Sequence, residues 1–148
     1  MEENTNSKSF GGIVQPKSLQ EASILFAEDD VVNQILIQKF LTKWNAGKLV
    51  IASDGEETLD QFNSGYFNIV LLDLKIPKLD GFSVAKAIRN HPDPEKRVVA
   101  ILALTAFSLY EVKEEMEDAG IDDFIPKPFS SEALYEKLIS YLKPKVQE

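Results

Sequence analysis

Five short apolar runs recur along this chain, each followed by a segment of helical periodicity, and that alternation limits the fold more than any other feature. The runs are "SILFA" (Ser23–Ala27), "KLVIA" (Lys48–Ala52), "NIVLL" (Asn68–Leu72), "VVAILAL" (Val98–Leu104) and "DFIP" (Asp123–Pro126). Most are apolar at consecutive positions, the pattern of parallel strands covered on both faces. Between them apolar residues return at helical spacing: Ile37, Leu41 and Trp44; Leu109, Val112, Met116 and Ala119; Leu134, Leu138 and Leu142. Helix starts are marked as well. "DGEE" (Asp54–Glu57) and "SLYE" (Ser108–Glu111) have the form of capping boxes, Asp80 precedes Gly81, and Ser130 or Ser131 can cap the last helix. Five βα units in succession predict an α/β parallel sheet with helices on both faces. Periodicity leaves the order of the strands open.

The chain has 148 residues, enough for one domain with a sizeable core. The first 21 residues are polar, punctuated by Gly, Pro and Ser, and are expected to be a tail or linker; the folded domain is expected over 22–144, with a short tail at 145–148. The absence of cysteine excludes disulfides, iron–sulfur clusters and thiol catalysis and suits a reducing, cytoplasmic setting. No apolar run approaches the ~18 residues of a membrane span. A net charge of −8 without a long basic cluster argues against direct nucleic-acid binding. The same acidity is compatible with carboxylates gathered around a cation.

In an open α/β sheet the ligand crevice lies outside the carboxyl ends of the strands. The first strand ends in Glu28-Asp29-Asp30, the third in Asp73, the fourth in Thr105 and the fifth in Lys127. Carboxylates held together repel unless a cation intervenes, and a hard cation such as Mg²⁺ takes oxygen ligands and is often shared with a phosphoryl group. A lysine and a threonine nearby suit a phosphoryl group, and an aspartate can attack phosphorus to form an aspartyl-phosphate. One hypothesis uses every element: Asp73 is phosphorylated in a Mg²⁺-dependent reaction. Asp30 can serve the helix macrodipole alone. His91, the one histidine, lies in the polar turn "RNHPDPEKR" and reads as a surface residue.

The blocks "ILFAEDDVVNQ", "LLDLKIPKLDG", "ALTA" and "DDFIPKPF" resemble the signature blocks of two-component response-regulator receiver domains, over about Ser23 to Leu142. The resemblance implies a flavodoxin-like (βα)5 doubly wound sheet with strand order 2-1-3-4-5. It implies Asp73 as phosphoacceptor, and Glu28, Asp29, Asp73 and the backbone carbonyl of Lys75 as the holders of Mg²⁺, or of Mn²⁺ in its place. It implies that Thr105 and Lys127 bind the phosphoryl group, that Lys127–Pro128 is cis, and that Phe124 is an aromatic switch turning inward as Thr105 moves. That switch would remodel the surface of the fourth helix, fifth strand and fifth helix, where a downstream effector or a dimer partner would bind. The phosphodonor would be a histidine kinase or a histidine phosphotransfer protein. Departures from the pattern are Glu28 for the commoner Asp, Phe124 for Tyr, the cationic Lys75, and a bulky Phe107 expected to shield the aspartyl-phosphate from water.

A phosphorylation-controlled switch, catalysing only its own phosphotransfer and dephosphorylation, is therefore the leading expectation. A receiver-like docking module that works without phosphorylation is the alternative. An aspartyl-phosphate phosphatase lacks its Asp-x-Asp motif, because Lys75 stands two residues past Asp73. A flavin or nucleotide binder would need a Gly- or Ser/Thr-rich loop where "EDDVVNQ" stands. The short stretch after Leu142 leads us to expect either a stand-alone receiver or a segment of a hybrid kinase.

Overall fold

The computed structural model describes residues 18–106 and 108–142. Phe107, residues 1–17 of the tail expected over 1–21, and the short tail expected at 145–148 lie outside these residues. Five strands, β1 (Ser23–Ala27), β2 (Lys48–Ala52), β3 (Ile69–Asp73), β4 (Ala100–Thr105) and β5 (Asp123–Pro126), form one sheet in the order β2-β1-β3-β4-β5. All four pairings are parallel. The helices are α1 (Val31–Lys43), α2 (Gly55–Ser64), α3 (Gly81–Arg89), α4 (Leu109–Ala119) and α5 (Ser131–Leu142). This is the flavodoxin-like (βα)5 arrangement. Strand order reverses direction between β1 and β3, so the crevice at their carboxyl ends is the topological switch point.

Side chains alternate across each strand, and both faces are covered. Leu25, Val70, Leu72, Ile101 and Ala103 pack with Val84, Ile88, Val112 and Met116 from α3 and α4. Ile24, Phe26, Ile69, Leu71, Leu102 and Ile125 pack on the other face with Ile37, Leu41, Leu134 and Leu138 from α1 and α5. Leu19, assigned to the tail on composition alone, belongs to this second core. It is 3% exposed in a 3₁₀ turn, Leu19–Glu21, and its carbonyl accepts from Gly47 N–H at 2.8 Å. One buried leucine outweighs the polar composition around it, so the folded domain begins earlier than residue 22.

The fourth strand starts at Ala100 instead of Val98, whose side chain is exposed because the chain is still leaving the turn that precedes β4. Caps form where sequence places them. Asp54, Asp80 and Ser108 accept from Glu57, Ser83 and Glu111 N–H, and Ser130 Oγ accepts from Ala133 N–H at 3.0 Å. Only Ser108 and Glu111 close a reciprocal capping box; Glu57 instead accepts from Ser53 N–H at 2.7 Å. Behind the sheet, Arg89 ties three elements together. Its guanidinium donates to the carbonyls of Gly120, Arg97 and Val99 and pairs with Asp122 at 2.8 Å.

Candidate functional site

Asp73 is the last residue of β3, carried to the crevice by four fully buried residues, Ile69 to Leu72. The two faces of the core grip the strand, so the carboxylate leaves it at a defined place. Its Oδ1 accepts from Lys75 N–H at 3.0 Å, which turns the chain sharply at the strand end. Gly81, at the start of α3, lets this turn close: a Cβ there would lie 2.7 Å from both the Asp73 carbonyl oxygen and the Leu74 Cα.

Glu28 and Asp29 follow β1, the neighbour of β3. Glu28 is buried, at 1% exposure, whereas Asp29 is exposed. One carboxylate oxygen from each of Glu28, Asp29 and Asp73 lies within 4.8 Å of the others. Asp30, beside them, caps α1 by accepting from Val32 N–H at 2.9 Å. Lys127 reaches in from the end of β5. Its Nζ donates to Asp73 Oδ2 at 3.0 Å and to Glu28 Oε1 at 3.4 Å. The Lys127–Pro128 peptide bond is cis. Thr105 ends β4 between β3 and β5, buried at 2% exposure. Phe124 on β5 is half-buried and packs against the core on the α4 side. The structure thus brings Glu28, Asp29, Asp73, Thr105 and Lys127 to one sheet edge, with the Lys75 backbone beside Asp73.

The electrostatics follow from this packing. Burial pushes the Glu28 carboxyl up to about 7, assisted by the charge of Asp73 and opposed by the Asp30 N–H and by Lys127. Burial alone would lower Lys127, but its hydrogen bond to Asp73 and the charges of Asp73 and Glu28 hold it above the ordinary lysine value. A buried acid that resists ionisation, an exposed acid and a third carboxylate, all within reach of one point, suit a hard divalent cation. Such an ion would relieve the repulsion that Lys127 offsets only in part.

Several supporting residues carry no signal in a sequence. Gln34 Nε2 donates to the Glu28 carbonyl at 2.6 Å and to Ser53 Oγ at 3.3 Å, joining the first two strand ends. Gly55 N–H donates to the Pro77 carbonyl at 3.1 Å, and Lys78 pairs with Asp54 at 3.6 Å, so α2 steadies the loop after Asp73. Apart from the bond from Gln34 to Glu28, these pairs are 19 to 24 residues apart, and no local pattern announces them.

Residues 24–139 match the family model described as the response regulator receiver domain. The chain belongs to that family. Receivers are the phosphoacceptor signalling domains of two-component systems, and they interact with histidine kinases or phosphotransfer proteins. This receiver is 30% identical over 98% of its length to hybrid signal transduction histidine kinase I of Dictyostelium discoideum, of which it covers 9%. It spans from 9% to half of the length of the curated relatives it matches. Among solved structures it is similar to the receiver domain of sensor histidine kinase PA1611 from Pseudomonas aeruginosa, which has a magnesium ion coordinated in its active-site cleft. That likeness has a TM-score of 0.74 and 30% identity over 82% of this chain and 97% of the other. The chemotaxis response regulator CheY4 of Vibrio cholerae is similar too, with a TM-score of 0.75 and 26% identity over 82% and 98% of the two chains. Among the described residues no helix is long and apolar enough to cross a membrane.

Proposed function

We propose that Asp73 accepts a phosphoryl group from a phosphohistidine on a histidine kinase or histidine phosphotransfer protein, in a Mg²⁺-dependent reaction in the cytoplasm. The observation that carries this reading is Lys127 Nζ, 3.0 Å from Asp73 and 3.4 Å from Glu28, inside a set of three convergent carboxylates. An ammonium held there is a ready point charge for a phosphoryl group bound to Asp73. The carboxylate of Asp73 forms the new P–O bond as the P–N bond to the donor imidazole breaks, and the imidazole leaves with the electron pair. Lys127 and the Thr105 hydroxyl then hold phosphoryl oxygens. Glu28, Asp29, Asp73 and the Lys75 carbonyl would hold Mg²⁺, which when bound offsets the charge that otherwise repels an incoming phosphate. Mn²⁺ would suit the same hard-oxygen ligands. The receiver catalyses only its own phosphorylation and dephosphorylation.

A protein donor suits the rim. Val31, Val32, Ile35 and Leu36 at the start of α1 are exposed and adjoin the acidic pair, offering an apolar footing beside the carboxylates. In the switch we propose, Thr105 moves toward the phosphoryl group and Phe124 fills the space it leaves. The surface of α4, β5 and α5 changes with it, for an effector or a dimer partner to read. The test is intact mass after incubation with acetyl phosphate and Mg²⁺. A single phosphoryl adduct is expected, absent without Mg²⁺ and absent in Asp73→Asn. No adduct in a folded protein, with a kinase donor as well, would instead favour docking without phosphorylation.

A further inference from the structure

An open groove of about 310 Å³ lies between the C-terminal end of α1 and the first turns of α5, lined by Trp44, Ser131, Glu132, Tyr135 and Glu136. Its Trp44 wall stands at the other end of α1 from the carboxylates, about 20 Å away along a helix of this length. Its walls are aromatic. Trp44 meets Tyr135 edge to face at 5.1 Å between ring centroids, and Phe40 stacks on Trp44 at 5.6 Å. Trp44 is half-buried and Tyr135 is 41% exposed, so the rings are held in place yet open to solvent.

The rim is acidic. Glu132 and Glu136 stand one turn apart on α5, both exposed, and neither is ion-paired among the described residues. Lys137, beside Glu136 in the sequence, is engaged elsewhere: it pairs with Asp123 at 2.7 Å. Glu132, in the first turn, is favoured by the helix macrodipole, but Glu136 lies beyond that effect. Two like charges four residues apart repel, so the helix keeps this pair at a cost that a bound cation would remove.

Partly exposed aromatic rings and two carboxylates without an ion pair among the described residues, around one groove, select for positive charge. We propose that this groove is a docking site for a cationic side chain, an arginine or lysine, presented by a protein partner. Arginine fits both features at once. Its planar guanidinium can lie on the exposed aromatic surface while its N–H groups reach a glutamate. The groove is distinct from the phosphoacceptor, and docking there does not require a phosphoryl group on Asp73. It gives the unphosphorylated receiver a handle by which a basic partner segment holds it.

Trp44 is the one tryptophan in the chain, so its fluorescence reports the groove directly. The unphosphorylated, Mg²⁺-free protein is titrated with the peptide acetyl-Gly-Gly-Arg-Gly-Gly-amide and, at equal ionic strength, with its Glu counterpart. A saturable change with the Arg peptide alone is expected. It should weaken by about tenfold or more in E132Q/E136Q, where charge-assisted contacts are lost, and remain unaltered in Asp73→Asn. Both glutamates are exposed, and circular dichroism checks that the variant is folded. No saturable change, an equal response to the Glu peptide, or an undiminished response in E132Q/E136Q would overturn the proposal.

Discussion

Glu28 makes the metal-free receiver less stable as pH rises, and neutralising it should remove most of that dependence. Burial raises the folded-state value from 4.5 to about 7. The unfolded chain ionises first, so the contribution is fully present below pH 4.5 and is lost as pH rises through 7. At about 1.4 kcal/mol per pKa unit the whole effect is about 3 kcal/mol, of which about 2 kcal/mol falls between pH 5.5 and 8.5. For a domain of this size that is a drop in Tm of roughly 8 °C. The assay is thermal unfolding in EDTA at both pH values for wild type and Glu28→Gln. The substitution keeps the shape and an acceptor for the Asp30 N–H but cannot ionise. Its Tm should fall by much less between the two conditions, and at pH 8.5 it should exceed that of wild type. Mg²⁺ at pH 8.5 should raise wild type and leave the variant nearly unmoved. An equal pH slope in both proteins would show that the carboxylate is not desolvated as described, and the argument would fail.

Lys127→Met should destabilise the metal-free protein by about 3 kcal/mol, because it leaves Glu28 and Asp73 buried without their cation. Urea unfolding in EDTA measures this, and added Mg²⁺ should recover part of it. Gly81→Ala should cost about 1–3 kcal/mol and lower the yield of phosphorylated protein, since the new Cβ must displace the Asp73 carbonyl or the Leu74 backbone. Chemical unfolding and intact mass read the two effects separately. Arg89→Met should cost about 3 kcal/mol, as three carbonyls and Asp122 lose a shared donor. Its phosphorylation with acetyl phosphate should persist, because these contacts lie behind the sheet.

The architecture was legible because its signals are local. The strands β1, β2 and β5 begin and end where the apolar runs do, since covering both faces of a parallel sheet leaves little room for a polar residue. Caps at Asp54, Asp80, Ser108 and Ser130 were readable for the same reason: each bond spans only three residues. The tail boundary was not, because Leu19 is one apolar residue in a polar stretch and only Gly47 and the α5 end of the core make it internal.

The sequence by itself determined the set of groups at the rim: acids after the first and third runs, a hydroxyl after the fourth, an ammonium after the fifth. Tertiary structure decided what that set is. Lys127 meets Glu28 across 99 residues and Asp73 across 54, and only the adjacency of β1 and β3 brings the acids together. It also decided which member of the adjacent pair is unusual. Glu28 and Asp29 are both acids at a strand end, but packing buries the first and leaves the second in water, and charge in a protein is governed by desolvation and neighbours, which are properties of the fold.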